Sequence, residues 1–261
     1  MKGPLMAKIF DSHTHYMSDT FDENREELIA SLPSQNVGAV MDCGVDYKTS
    51  LQSLEIGKEY PWFYTAAGIH PQEVATTPFE ELKQIETLFS HPKVKAVGEC
   101  GLDYYWTKDN KEEQMKYFTA QIELSKTYNL PIIMHDRDAH KDMFDTMKKY
   151  RPQGVLHCFS GSAESAKEFV KMGLYIGFTG VITFKNARKT VEALAAVPLE
   201  NLLMETDCPW MAPEPLRGRP SHSGMIKYTA EKAAEIKGVS LEKLLDVTFE
   251  NACRLFNISA T

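Results

Sequence analysis

Hydrophobic and polar positions alternate in two rhythms along this chain. Short apolar or β-branched runs predict eight strands: AKIF, VGAVMDCG, WFYTAAGIH, VKAVGE, PIIMH, GVLHC, LYIGF and NLLMETD. Longer amphipathic stretches lie between them and predict helices over residues 22–32, 47–59, 78–89, 111–128, 138–150, 162–172 and 186–196. This strand and helix alternation predicts an α/β fold, a TIM-type (β/α)8 barrel.

The main rival architecture is a doubly wound open sheet, which alternates strands and helices in the same way. Such a sheet usually carries a glycine-rich phosphate loop after its first strand. Here the corresponding turn reads DSHTHYM, with no GxGxxG or GxxxxGK[ST] motif. We therefore expect one barrel domain over residues 1–261, closed by helical segments at 225–236, 241–246 and 251–256.

Composition and charge exclude several classes of protein. The net charge of -7 lacks the basic footprint of a protein that binds duplex nucleic acid by bulk electrostatics, so a nucleic-acid contact should be local. An odd number of cysteines, five, without a CxxC pair argues against a disulfide framework and a zinc ribbon. With no apolar run of about 18 residues, we expect a cytoplasmic monomer without a membrane span.

The stretch IFDSHTHYM places Asp11, His13 and His15 at the end of the first strand run. Alternate side chains of a strand share a face, so the three residues are predicted to point the same way. If that face looks into a site, the histidines are metal ligands, and Asp11 either orients one of them from behind or is a buried structural aspartate. The competing interpretation is a polar strand exit that faces water.

Other candidate ligands stand at the ends of later strand runs. His70 ends the third run, Glu99 the fourth, His135 the fifth, His157 the sixth and Asp207 the eighth. Because the carboxyl ends of barrel strands converge at one mouth, these side chains should meet there. The predicted metal ligands are His13, His15, Glu99, His135, His157 and Asp207. Six imidazole and carboxylate ligands exceed the need of one tetrahedral ion, which favours two divalent ions, Mg, Mn or Zn, sharing a carboxylate.

Three cysteines each follow a predicted ligand directly. By strand alternation, Cys100, Cys158 and Cys208 should point away from the site toward the helix layer. We interpret them as packing residues.

Eight motifs appear in order between residues 10 and 219: FDSHTH, GIHP, GECGLDYYW, HDRDA, HCFSG, TFKNARK, ETDCPW and LRGR. Together they resemble the TatD-related deoxyribonuclease family over nearly the whole chain. The resemblance implies a metal-dependent hydrolase barrel related to amidohydrolases, with a binuclear site. It implies that His13, His15, Glu99 and Asp207 hold one ion, and that Glu99 bridges to a second ion held by His135 and His157.

One segment departs from the family pattern. Where family members typically read RGKxNxP, this chain reads RGRPSHSG, with Pro220, Ser221, His222 and Ser223 at the end of the motif. The loop geometry or a substrate contact should differ there. His222 is interpreted either as a substitute polar contact or as a surface histidine.

The chemistry predicted from this set is hydrolysis of phosphodiester bonds in DNA by a water that two metal ions activate. Glu99 and Asp207 are the predicted catalytic residues, with Asp207 as general base. The substrate is expected to be DNA as single strands or ends, and the enzyme a deoxyribonuclease or exonuclease. The predicted substrate contacts are His70, Asp103, Tyr104, Arg137, Lys185, Arg217 and Arg219. Tyr104, Trp106 and Trp210 either stack on bases or cover the barrel.

Two alternatives remain open from sequence. An amidohydrolase-type enzyme would cleave a small-molecule amide, lactone or phosphoester in the same mouth. Glu99 stands where many amidohydrolases carry a carbamylated lysine, which disfavours that branch. A non-enzymatic docking barrel is disfavoured by the open ligand set, because a structural metal site is closed by four ligands.

Overall fold

Eight parallel strands form one sheet in the order of the sequence. The structure is a computed structural model that describes residues 8–106 and 108–259. The strands are β1 Ile9–Thr14, β2 Val37–Cys43, β3 Phe63–Ala67, β4 Val94–Asp103, β5 Ile132–Arg137, β6 Gly154–Leu156, β7 Tyr175–Phe178 and β8 Leu202–Met204. The predicted barrel class is confirmed.

Helices cover the outside of the sheet. They are α1 Arg25–Ser31, α2 Tyr47–Gly57, α3 Leu82–Leu88, α4 Lys111–Tyr128, α5 His140–Tyr150, α6 Ala163–Lys171, α7 Arg188–Ala196, α8 Ile226–Lys237 and α9 Leu241–Leu255. The separate segments predicted at 241–246 and 251–256 form one helix, because Thr248 is buried and continues the packed face through the predicted gap. In the described ranges, no helix has the length and apolarity needed to cross a membrane.

The sheet closes where its first and last strands meet. An isolated parallel bridge joins Thr14 to Cys208 just beyond β8. The backbone N–H of His15 donates to the carbonyl of Cys208 at 2.9 Å, and the N–H of Asp207 donates to the carbonyl of His13 at 3.0 Å. Closure therefore brings residues from the two ends of the barrel sequence side by side.

Apolar side chains fill the lower part of the barrel. One buried cluster includes Phe10 of β1, Ile133 of β5 and Leu203 of β8, together with residues from the end of α9. The rings of Phe249 and Phe256 lie 5.9 and 5.8 Å from the ring of Phe10, so the C-terminal segment covers this end. The interior is a packed core, and the polar site is confined to the opposite mouth.

Candidate metal centre and active site

A pocket of about 640 Å³ opens at the carboxyl ends of the strands. Seven of the predicted site residues line it: His15, His70, Glu99, His135, Arg137, His157 and Asp207. His13 lies beneath them and is fully buried. The volume falls in the range of small-ligand and cofactor sites, about 300–1,000 Å³.

Strand β1 is irregular immediately before the histidines. Residues 11–14 of β1 span the same length as residues 40–42 of β2, so one extra residue breaks the strict alternation of side chains. As a result, Asp11 accepts hydrogen bonds from the N–H and hydroxyl of Thr206, whereas His13 approaches the site. The prediction that Asp11 shares the face of both histidines is wrong, because the bulge shifts them relative to it.

Glu99 stands between two pairs of histidines. Its Oε2 lies 3.1 Å from Nε2 of His13 and 3.5 Å from Nε2 of His15. Its Oε1 lies 2.7 Å from Nε2 of His157 and 3.1 Å from Nδ1 of His135. We call the first pair the His15 side and the second pair the His135 side. Each carboxylate oxygen of Glu99 thus faces one of the two sides.

Two further side chains complete the ring around Glu99. Oδ1 of Asp207 lies 3.4 Å from Nε2 of His15 and 3.8 Å from Nε2 of His13, which places it on the His15 side. Nε2 of His70 lies 3.6 Å from Oε1 of Glu99, on the His135 side. The structure therefore gathers all six predicted ligands, together with His70, into one cluster.

Hydrogen bonds behind the cluster fix the orientation of two histidines. Nδ1 of His15 donates to the carbonyl of Cys43 at 2.8 Å, and Nε2 of His135 donates to Oδ2 of Asp103 at 3.1 Å. Such partners select the tautomer, because the second ring nitrogen is left as an acceptor. In both histidines this second nitrogen faces Glu99.

Glu205 is a site residue that the sequence analysis missed. It is fully buried, and its Oε2 accepts a hydrogen bond from the hydroxyl of Ser12 at 3.1 Å. Its Oε1 accepts the backbone N–H of Cys158 and lies 3.6 Å from Nδ1 of His157. The available signal was the ETD spacing, which puts Glu205 two residues before Asp207 and on the same side of the chain.

The strand-end cysteines divide into two classes. Cys100 and Cys208 belong to the apolar cluster under the helices, as predicted. Cys158 instead lines the pocket. Its backbone has φ 43°, which breaks the strand alternation on which the prediction depended.

The charges of the cluster keep Glu99 ionised. Burial raises the pKa of this carboxyl, but the neighbouring histidines, His157 above all, lower it well below its usual range. Burial lowers the pKa of His157, yet Glu99 and Glu205 bring it well above its usual range. Burial dominates at His70 and lowers its pKa to about 3. Glu99 is thus a carboxylate, the form that binds cations.

The donor set fits a divalent metal centre. Three groups have ligand atoms that lie within 4.8 Å of one another: His13 with His15 and Glu99, His13 with His157 and Asp207, and His70 with Glu99 and His135. Nε2 of His13 and Nε2 of His15 are 3.0 Å apart. Buried imidazole nitrogens and carboxylate oxygens that converge in this way suit zinc and similar divalent cations.

Replacing Asp103 with asparagine is expected to weaken metal binding about 10- to 100-fold. Oδ1 of Asp103 accepts the backbone N–H of Tyr105 and of Trp106, both at 2.9 Å, so the asparagine oxygen should stay there. The new NH2 group would then face Nε2 of His135 and force the other tautomer, whose Nδ1 carries a proton and cannot bind an ion. The dissociation constants for Mn²⁺ and Zn²⁺, measured by calorimetry, test this expectation.

The matched control is Asp145→Asn, which changes an exposed carboxylate paired with Lys141. It should leave both dissociation constants unchanged. Unaltered binding in Asp103→Asn would mean that Asp103 does not select the tautomer of His135.

Of the predicted substrate contacts, the structure brings His70 and Arg137 to the pocket. The guanidinium carbon of Arg137 lies 4.3 Å from the ring centre of Tyr105 and 5.5 Å from that of Trp106. Asp103 is fully buried behind His135.

The remaining predicted contacts lie elsewhere. Tyr104 is buried, and its hydroxyl donates to Asp142 at 2.9 Å. The guanidinium carbon of Arg217 lies 4.2 Å from the ring centre of Phe184. The residues that line the pocket in the described chain do not include Tyr104, Lys185, Arg217 or Arg219. A substrate role for these four residues stays a prediction.

The RGRPSHSG segment folds back against β1. The N–H of Ser221 donates to the carbonyl of Pro209 at 2.8 Å, and the hydroxyls of Ser223 and Tyr16 are hydrogen-bonded at 2.8 Å. His222 is half-buried and, within the described residues, is not part of the pocket lining. The departure from the family pattern therefore anchors a loop behind the site.

Comparison with known proteins identifies the family. The TatD-related DNase family matches residues 10–257. The chain belongs to this family. It is 41% identical over 254 residues to the uncharacterized metal-dependent hydrolase YabD of Bacillus subtilis, covering 96% of this chain and 100% of that protein. It is 30% identical over 259 residues to the 3'-5' ssDNA/RNA exonuclease TatD of Escherichia fergusonii, covering 96% of this chain and 100% of that protein.

A solved structure of this TatD-related family has the same fold. The crystal structure of YJJV, a TatD homologue from Escherichia coli K12, superposes with a TM-score of 0.91 at 29% identity. The match covers 97% of this chain and 99% of that chain. The protein described here is thus a metal-dependent hydrolase of the TatD-related family.

Proposed function

We propose that this hydrolase is an exonuclease that cleaves phosphodiester bonds in single-stranded DNA or at DNA ends with two divalent ions. The proposal depends mainly on one observation: the two carboxylate oxygens of Glu99 each face a different pair of histidines. The name of the TatD relative, a 3'-5' ssDNA/RNA exonuclease, supports nucleic acid as the substrate class.

The proposed ligands divide between the two sides of the cluster. His13, His15, Glu99 and Asp207 would hold one ion, and Glu99, His135 and His157 would hold the other. When bound, two Mg, Mn or Zn ions would lower the pKa of a water molecule and stabilise charge on the attacking and leaving oxygens.

The protein's own groups supply the remaining steps. Asp207 lines the pocket as a carboxylate, because its contact with His15 and the nearby histidine charges lower the pKa that burial would raise. It accepts the proton of the attacking water as general base. Arg137 donates to a non-bridging phosphate oxygen, and His70, held neutral by burial, orients the same phosphate.

We also propose that the protein acts as a monomer in the cytoplasm. Its five cysteines are free thiols, which is compatible with a reducing compartment.

The test is degradation of end-labelled single-stranded DNA by purified protein with Mg²⁺, Mn²⁺, Zn²⁺ or a chelator. We expect metal-dependent stepwise shortening, and about a 100- to 10,000-fold lower rate in Asp207→Asn through loss of the general base. Asp246→Asn, an exposed change on α9, serves as control.

The same preparations are assayed on small-molecule amides, lactones and phosphoesters. Turnover of one of these compounds without shortening of DNA would overturn the nuclease proposal and favour an amidohydrolase-type activity.

A further inference from the structure

Exposed aromatic side chains are concentrated at the mouth of the barrel. Five large hydrophobic side chains are strongly exposed within residues 8–106 and 108–259, and three of them are Tyr105, Trp106 and Trp210. Trp106 is 62% exposed and Trp210 is 54% exposed, and both line the pocket that contains Glu99. Exposed apolar surface that rims a polar pocket typically marks a ligand-binding surface.

Trp210 stands next to the His15 side of the metal centre. Its ring centre lies 5.4 Å from that of His15, edge to face, and the backbone N–H of Trp210 donates to the carbonyl of Asp207 at 3.0 Å. The ring is therefore attached to the segment that carries the proposed general base.

Trp106 stands near the His135 side. Its backbone N–H donates to Oδ1 of Asp103, and Oδ2 of the same carboxylate accepts from His135. One buried carboxylate thus fixes both the turn that carries Trp106 and the orientation of a proposed ligand. The backbone of Trp106 is therefore held relative to His135 through Asp103.

The wall on the His135 side also carries a positive charge. Tyr105 and Trp106 pack edge to face with ring centres 4.8 Å apart, and the guanidinium of Arg137 lies against both rings. This contact restricts the conformation of the Arg137 side chain, which also lines the pocket. In this arrangement a planar base could stack on Trp106 while the adjacent phosphate accepts hydrogen bonds from Arg137.

We propose that Trp106 and Trp210 are two stacking platforms that hold the bases on opposite sides of the scissile phosphodiester. The proposal rests on the proposed nuclease function. One tryptophan stands near each pair of histidines. The DNA nucleotides on the two sides of a phosphate bound at Glu99 would therefore contact different rings. Stacking on protein requires bases that have left the duplex, so these residues select unpaired strands.

The test measures kcat/KM of each protein variant on DNA strands that lack one base. Single-stranded DNA carries an abasic analogue either on the 5' or on the 3' side of the terminal scissile phosphodiester. We expect each missing base to lower kcat/KM of the wild-type enzyme about 10-fold. Trp106→Ala should become insensitive to one of the two positions and Trp210→Ala to the other.

Two variants serve as controls. Trp106→Phe keeps a stacking ring and should restore most of the rate and the sensitivity to the missing base. Tyr128→Ala removes an exposed aromatic ring on α4 whose hydroxyl donates to Glu86, and it should behave as wild type.

The outcomes separate the proposals. If both tryptophan variants keep the wild-type sensitivity at both positions, or both lose sensitivity at the same position, the two-platform proposal is overturned while the nuclease function stands. If wild type shortens no strand with any metal, the nuclease function fails.

Stacking is then measured by quenching of tryptophan fluorescence with oligothymidylate and with a fully abasic strand in chelator. Roughly 10-fold weaker binding of the abasic strand by wild type, with the difference reduced in each variant, supports the platforms. Equal affinity for both strands in wild type overturns them.

Discussion

Replacing Glu99 with glutamine is expected to lower kcat/KM for the proposed hydrolysis about 1,000-fold or more. The two carboxylate oxygens face the His15 side and the His135 side at 3.1 and 2.7 Å. Glutamine keeps the shape but offers an oxygen to only one side, and its NH2 group meets the other. Each bound ion stabilises the charge of the transition state by several kcal/mol. Loss of the carboxylate that both ions share should therefore raise the activation free energy by several kcal/mol.

Metal analysis after dialysis provides an independent measurement. We expect Glu99→Gln to retain at most about half of the wild-type metal content, because one side of the cluster loses its carboxylate oxygen. Glu55→Gln, at an exposed carboxylate paired with Lys58, should retain full activity and full metal content. Wild-type metal content in Glu99→Gln would contradict the bridging role.

Replacing Gly101 with alanine is expected to lower the free energy of unfolding by about 4 kcal/mol. Gly101 lies on β4 with φ 140°, a conformation that residues with a Cβ rarely adopt, and this strain costs about 1–3 kcal/mol. A Cβ there would lie 2.1 Å from the carbonyl oxygen of His135 on β5. Separating the strands to relieve the overlap adds about 1–3 kcal/mol and displaces a proposed ligand.

The control for this prediction is Gly173→Ala. Gly173 also has a positive φ, 90°, but apart from its two chain neighbours no residue in the described part of the chain has a heavy atom within 4 Å of an added Cβ. The free energy of unfolding of Gly173→Ala should fall by about 1–3 kcal/mol, the cost of backbone strain alone. Urea unfolding in chelator measures both variants, and equal losses would refute the steric contribution at Gly101.

The barrel was predictable because its signal is local and repeated. Each strand is a short apolar run, and each following helix carries its own period, so the prediction averages over many elements. Boundaries were less predictable. Pro33 and the turn at 32–35 end α1 at Ser31, earlier than the apolar pattern suggests, whereas α9 continues through 247–250 because packing against the barrel supports it.

The chemical character of the mouth follows from residue types and their positions in the strand pattern. Parallel strands have converging carboxyl ends, so histidines and carboxylates at those ends must approach one another once the barrel forms. This reasoning needs only residue type and position in the strand pattern. It placed Glu99 and Asp207 in one cluster from their strand-end positions alone.

The division of those groups between the two sides of Glu99 depends on contacts between residues far apart in the sequence. The bulge in β1 turns His13 toward the site and leaves Asp11 to Thr206, and Glu205, rather than a residue near in sequence, lies behind His157. The distances that separate the two oxygens of Glu99 depend on register between strands, side-chain rotation and hydrogen bonds over long sequence separations. No periodicity along the chain encodes these quantities, because they arise when the sheet closes.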